Sequence, residues 1–446
     1  MSVAHTFIKQ SMKTIMKSAH FLSIVLTFSL LTGLLSSCTD QCEQTITYRT
    51  QRQVTLSLYE LRQGVKSQAT QSLEHPGKIY VKDNYLFINE IKKGIHIIDN
   101  TDPSSPKPIS FLAIPGNIDL AVKGNVLYAD SYTDVVAFDI STPTAVKEVK
   151  RVTDVFQNGT IDGLWWTYNA STQAITDNKW DLVTETRQAD CDGPNGGNTS
   201  VLFDRGFFAQ SNLSSSAAGG GGGTGTGGSM ARFTITGNYL YTVSNQDLQL
   251  FDVATPTNPQ KGKKINLGWG IETIFPYKDK LFIGSTSGMH IYDNSTPSSP
   301  KWLSTFQHVM SCDPVVVQDD IAYVTLRSGT MCNRGSNQLD VINIANASTP
   351  FLMKSYPMQN PHGLGIDYPT LFLCEGKYGL KTFDVKDALS IDKNQLSHFD
   401  NIDAYDVIPL KGTLMMIGKD GLYQYDYSNA KNLKLLSVIP VVNKGL

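Results

Sequence analysis

No segment of this 446-residue sequence carries a long apolar stripe with the 3.6-residue period of an amphipathic helix, so a helical array is excluded as the main architecture. Charge is sparse as well. Asp, Glu, Lys and Arg make up 17% of the chain and the formal net charge is −2. With no basic stripe to neutralise phosphates, nucleic acid is not an expected partner. The one long Gly-rich run, Ala217–Ser229, has no Lys-Ser/Thr after it and no strand-to-helix setting, so it does not read as a phosphate cradle. Its composition is that of a flexible linker. No loop has the carboxylate spacing of a calcium motif, no metal ligand set stands out, and no cofactor is expected.

What is present is repetition. Gly94–Pro108 reads as a short apolar strand, an Asp, and a Pro/Ser turn. Its echoes end on Asp139, Asp252, Asp293, Asn343, Asp384 and Asp426, at steps of 40, 113, 41, 50, 41 and 42 residues. A second apolar run precedes each one and folds about a polar turn such as Asp83-Asn84, Gly124-Asn125 or Gly237-Asn238, which is hairpin chemistry. A fourth strand comes after the turn, as at Pro108–Ala113 and Lys301–Phe306. Each repeat therefore reads as a four-stranded antiparallel blade, strands a to d. The expectation is an all-β, seven-bladed β-propeller over residues 76–441. The recurring Asp reads as a turn-former, its carboxylate accepting backbone N–H groups just beyond the strand.

The apolar run ending in Asp, followed by Ser/Thr-Pro-x-x-Pro, resembles the LVIVD-repeat family of bacterial cell-surface β-propellers. The resemblance implies a propeller at the cell surface. Function does not follow from it, because one fold serves many activities. Asn343 departs from the pattern, and the last two repeats lack the Pro turn.

Residues 1–37 read as an export signal, with Lys13 and Lys17 ahead of the apolar run Phe21–Leu35. That run has 15 residues, short of the ~20 that span a bilayer. Leu35-Ser36-Ser37-Cys38 resembles the bacterial lipobox, which implies lipidation of Cys38 and anchoring at the outer membrane, facing the periplasm or the exterior. Residues 38–75 read as a tether. Its strand-like run 54–61 either pairs with a terminal blade to help close the ring or forms a free-standing hairpin. The insertion 157–228 splits the repeat series into an aromatic flap, 157–210, and a Gly-rich linker, 211–228.

Topology puts the flap, the starts of the a strands and the b–c loops on one face, where loops are free to vary. Asp119, Arg232, Glu272, Asp313, His362 and Asp406 then gather at a channel mouth, which is either a hydrated polar pore or a ligand or cation site. Trp165, Trp166 and Trp180 are candidates for partner contact or for packing of the flap. Cys312 and Cys332 fall on the same face and can close a disulfide, worth ~3 kcal/mol for a loop of about 20 residues. Cys374, in an apolar strand, reads as a small buried hydrophobe. The reading that unites these features is a monomeric, non-enzymatic, membrane-anchored module that binds a protein or glycan. Its rival is an envelope enzyme acting on glycans through carboxylates at the mouth.

Overall fold

The computed structural model describes residues 41–161, 163–190, 226–229, 231–308, 314–328 and 337–442. They fall in two compact units, 1–50 with 181–204, and 51–180 with 205–446. The chain is all-β. Helix is confined among the described residues to Leu58–Gln63 and one 3-10 turn, Ile391–Lys393. Cys38, Cys312, Asp313 and Cys332 lie outside the described residues, and with them the lipidation, the disulfide and one acid of the mouth.

The described strands form eight sheets, and seven of them match the repeat. Their a strands are Pro76–Lys82, Leu120–Lys123, Phe233–Thr236, Ile271–Tyr277, Val315–Gln318, Leu364–Asp367 and Ala404–Leu410. In each of the seven, strands a to d pair in order and antiparallel, and the register slips by one residue between c and d. Strands b and c are almost wholly buried, while the d strands are more exposed, with polar ones at Lys147–Val152 and Gln260–Asn266. Gln260–Asn266, with three lysines, shows how a charged outer edge discourages pairing with another chain.

The recurring Asp does what the sequence suggests. Asp99 takes the backbone N–H of Thr101, Asp139 that of Ser141, Asp252 that of Ala254, and Asp293 that of Ser295. Asn343, Asp384 and Asp426 repeat the contact with Ala345, Lys386 and Ser428. Seven turns use one Asx device.

Each a strand touches the a strand of the next repeat, including the second and third, between which the whole insertion intervenes. The seventh repeat sheet packs on the first. Ile79, Val81, Leu86 and Ile88 share a core with Ile408, Met415, Ile417 and Leu422. Asn100 and Gln424 exchange side-chain hydrogen bonds at 2.7 and 2.8 Å.

Two expectations are corrected. The first concerns the flap and the tether. Asn158–Ile161, Leu164–Asn169 and Ala174–Asp190 are strands of the eighth sheet, and its outer strand is Gln41–Ser57. Residues 39–53 are therefore no polar tether where they are described. Val54–Ser57 ends a strand and Leu58 begins the helix, so the run 54–61 is neither a blade edge nor a hairpin. A fifth strand, Lys66–Gln68, does cap the first repeat sheet by pairing with Phe111–Ala113. Arg62 of the helix clasps buried Asp134 through two bonds of 2.9 and 3.1 Å, and Arg151 adds a third at 3.0 Å. Buried Asp177 is held by Lys92 at 2.9 Å and by the Tyr132 hydroxyl at 2.9 Å. In the smaller unit, the outer ends of the two 17-residue strands form a ribbon in which Thr45 meets Thr186 and Thr47 meets Thr184.

The second correction concerns the end of the Gly-rich run. Thr226 exchanges both backbone hydrogen bonds with Val81 of the first a strand, at 2.8 and 2.7 Å. The Ser229 hydroxyl, buried, accepts the N–H of Leu364 in the sixth a strand at 3.2 Å. A Cβ on Gly227 would stand 2.9 Å from the Tyr80 ring, so glycine permits this close passage.

Candidate functional site

The starts of the first three a strands meet around one carboxylate. Lys78 Nζ lies 2.5 Å from Asp119 Oδ2, and both side chains are buried. Asp119 also accepts the backbone N–H of Arg232 and, at 2.7 Å, that of Leu120. Burial lowers the Lys78 pKa, and Asp119 opposes that shift. Behind them, Asp130 Oδ1 accepts three N–H groups, from Asn117 Nδ2 and the backbone of Ile118 and Asp119, at 2.8 to 3.0 Å. Burial nevertheless dominates and pushes the Asp130 pKa up to about 6, against those N–H bonds.

Arg232 is different. Only 9% of it is exposed, and its Nη2 donates to Asn245 Oδ1 at 2.7 Å. Its Nε is buried with no hydrogen-bond partner, and no carboxylate among the described residues is ion-paired with it. Burial lowers its pKa, while Asp119, Asp130 and Glu272 pull the other way from a distance. Asn245 is itself fixed. Its Nδ2 donates to Thr160 Oγ1 at 3.0 Å, and its carbonyl takes the N–H groups of Gly270 and Ile271.

Arg232 lines a cleft of about 70 Å³ together with Thr160, Asn245, Glu272, Trp165 and Trp269. Trp165 stacks on Trp269, centroids 5.4 Å apart and planes 17° from parallel. Trp269 remains 61% exposed. The loop that presents it is Gly268-Trp269-Gly270, and both glycines have positive φ, +91° and +87°. A Cβ on Gly270 would stand 2.2 Å from Thr286 Oγ1, so no other residue fits there.

Strand alternation separates the two adjacent tryptophans of the insertion. Trp165 faces the cleft. Trp166 is 3% exposed and packs edge-on against Tyr132 at 5.4 Å, so its reading as a partner contact is overturned. Trp166 and Arg232 also line a second cavity of about 30 Å³, together with Asp119 and Asp130. The indole Nε1 of Trp166 is buried there with no partner. Trp180 is half-buried on the long strand of the eighth sheet.

The remaining mouth residues continue the arc. Glu272 acts electrostatically on both Arg232 and Arg327. Arg327 stands 3.4 Å from His362 Nε2, which also takes the Asn360 amide at 3.1 Å. Burial, then Arg327, holds the His362 pKa well below its ordinary value, so the ring is neutral. The Asp406 carboxylate accepts its neighbour Val407's N–H at 2.9 Å and lies against Gly363. Burial pushes the Cys374 thiol well up, in keeping with an inert core cysteine. Among the described residues no cluster of three or more His, Cys, Asp or Glu is gathered to hold a metal.

Sequence reasoning missed Trp269. The signal was the Gly-Trp-Gly in a d-to-a connection, a bulky aromatic held out by two residues that favour left-handed backbone.

Repeated four-stranded sheets in mutual contact, with an aromatic cleft beside the a-strand ends, define a propeller-like repeat protein. The chain carries LVIVD repeats: the repeat's profile matches residues 76–110, 117–154, 227–263 and 333–357. No curated protein matches the sequence significantly. Among solved structures it is similar to a functionally unknown protein from Desulfotomaculum acetoxidans, at 10% identity and TM-score 0.48, covering 81% of this chain and 95% of that one. It is also similar to Hsv2 of Kluyveromyces lactis, at 9% identity and TM-score 0.46, covering 81% and 97%. BamB from Moraxella catarrhalis is similar at 9% and 0.44, covering 84% and 97%.

Proposed function

We propose that this protein is a seven-bladed β-propeller that works as a non-enzymatic binding module, anchored through Cys38 at the bacterial outer membrane, and that its ligand is a glycan. The order of a-strand contacts supports seven blades, because the second and third touch directly and the seventh packs on the first. The eighth sheet is then an addition beside the ring that contributes Trp165.

The observation that carries the binding reading is the stacked pair Trp165–Trp269, with one indole largely exposed, in a cleft whose floor we take to be the polar lining of Asn245, Thr160, Glu272 and Arg232. A flat indole offers apolar area to the C–H face of a sugar at little entropic cost, while the floor offers donors and acceptors to hydroxyls. Glycoside cleavage needs two carboxyl groups flanking the bond, and Glu272 is the only carboxylate among the described residues that line this cleft.

The test is a glycan array probed with the mature chain and with Trp269→Ala. Binding that falls at least tenfold in Trp269→Ala, with circular dichroism unchanged, supports the reading. An array without a single ligand, or undiminished binding by the variant, overturns it. Turnover of a bound glycan that disappears in Glu272→Gln would overturn the non-enzymatic part. Cys38→Ser should move the protein from the membrane to the soluble fraction.

A further inference from the structure

We infer that the cleft recognises a carboxylate-bearing sugar, such as a hexuronate, with Arg232 receiving the carboxylate and Trp269 the ring. The inference rests on the glycan reading and goes beyond it by naming the charge of the ligand.

Its first support is an imbalance. A buried guanidinium is expected to be paired, because an uncompensated buried charge is costly. Arg232 has one neutral acceptor, Asn245, and an Nε–H with none. Lys78, the other buried cation at Asp119, occupies the carboxylate that Arg232 meets only through its backbone N–H. The second support is position. Arg232 and Trp269, whose indole is largely exposed, line the same cleft, so an anion entering it comes up to the guanidinium.

Size and charge narrow the anion. A cavity of about 70 Å³ holds a few waters or one small group, so a carboxylate enters and a pyranose ring stays above it, at the level of Trp269. Glu272 on the same lining disfavours a dianion such as a phosphate monoester. A planar monoanion matches the guanidinium fork.

The experiment titrates the mature chain with trigalacturonate, with its methyl ester, and with a neutral glucan trimer, reading tryptophan fluorescence and heat. Wild-type protein should bind the acid at least tenfold more tightly than the ester. Arg232→Met should abolish the preference, weakening the acid at least tenfold more than the ester so that the two bind alike. Trp269→Ala should weaken both. Equal affinity for acid and ester, or an equal loss of both in Arg232→Met, overturns the carboxylate inference and leaves the glycan reading standing. If none of the three sugars binds, the carboxylate inference falls, and a silent array beside it brings down the glycan reading too. Arg232→Lys separates charge from shape, since it should keep part of the preference for acid if the carboxylate is held as inferred. Complete loss of acid binding in Arg232→Lys, with ester binding lost as well, marks a structural role and overturns it.

Discussion

Lys78 and Arg232 hold equivalent places in the first and third repeats, and both are buried cations beside Asp119. One is closed and the other is open. Lys78 has its carboxylate at 2.5 Å, and that carboxylate also takes two backbone N–H groups. Arg232 has an amide oxygen and an idle Nε–H, and it faces a cleft. The closed pair locks the starts of three a strands together. The open cation has no such counter-charge, and the proposed reading gives it a ligand to receive instead. On that reading the same chemistry at neighbouring positions serves architecture in one and recognition in the other.

The largest expected effect comes from breaking the closed side. Asp119→Ala leaves Lys78 buried without a counter-charge and frees two backbone donors. A loss of about 3–5 kcal/mol in the unfolding free energy should result, measured by chemical denaturation. Lys78→Met on the Asp119→Ala background should recover part of that loss, since the stranded charge is gone. A loss below about 1 kcal/mol would erase the distinction between the two sites.

Asp130 sharpens the comparison through pH. Its pKa rises from 3.8 to about 6 on folding, chiefly by burial. Between those values the folded chain holds a proton that the unfolded chain has released, so stability falls as pH rises through the window and is flat above it. The groups around it are Asp119, which adds to the shift, and Lys78, which opposes it. Asp130→Asn keeps an oxygen for the three N–H donors and removes the charge. The variant should match wild type below about pH 3.8 and exceed it above about pH 6, by roughly 1–3 kcal/mol. The readout is the difference in Tm between the two proteins across pH 3.5 to 8. A constant difference would mean that charge plays no part.

Arg232→Met tests the open side. Replacing an unmatched buried cation by an apolar chain of similar length should leave Tm unchanged or slightly raised. A fall as large as that of Asp119→Ala would make Arg232 architectural, like Lys78.

These sites also mark how far the sequence could be read. The seven strand-Asp-turn units were legible because each is local: an Asx turn is written in three consecutive residues, as at Asp99-Asn100-Thr101. The eighth sheet was not. Its strands come from residues 41–57 and 158–190, far apart in the chain and without the repeat's signature, so only the fold could bring them together. Asp119, Arg232 and Glu272 were legible as a group at the a-strand starts, but Lys78 was not singled out with them. Which cation Asp119 would choose depends on side-chain reach between sheets, and alignment does not carry that. Trp165 and Trp166 were indistinguishable until a partner strand set their register, which turned one to the cleft and the other to the core.

The smallest expected effect lies at the turns, where the role of charge can be isolated. Asp293 accepts the backbone N–H and hydroxyl of Ser295, and these bonds hold its pKa below the ordinary value. Any stability it adds is therefore present above the unfolded pKa and lost as pH falls through the lower folded one. The fifth repeat already carries the natural counterpart, Asn343, whose amide oxygen takes the Ala345 N–H at 3.1 Å with no charge at all. Asp293→Asn, which keeps the oxygen, should lower Tm at neutral pH only by that small charge-dependent part and match wild type once pH falls below the folded pKa of Asp293. Asp293→Ala, which removes the acceptor, should lower Tm slightly, by less than any change at Asp119. An equal fall in both variants would show that the turn depends on the negative charge, and would remove the contrast between turns that need an oxygen and a cleft that answers to charge.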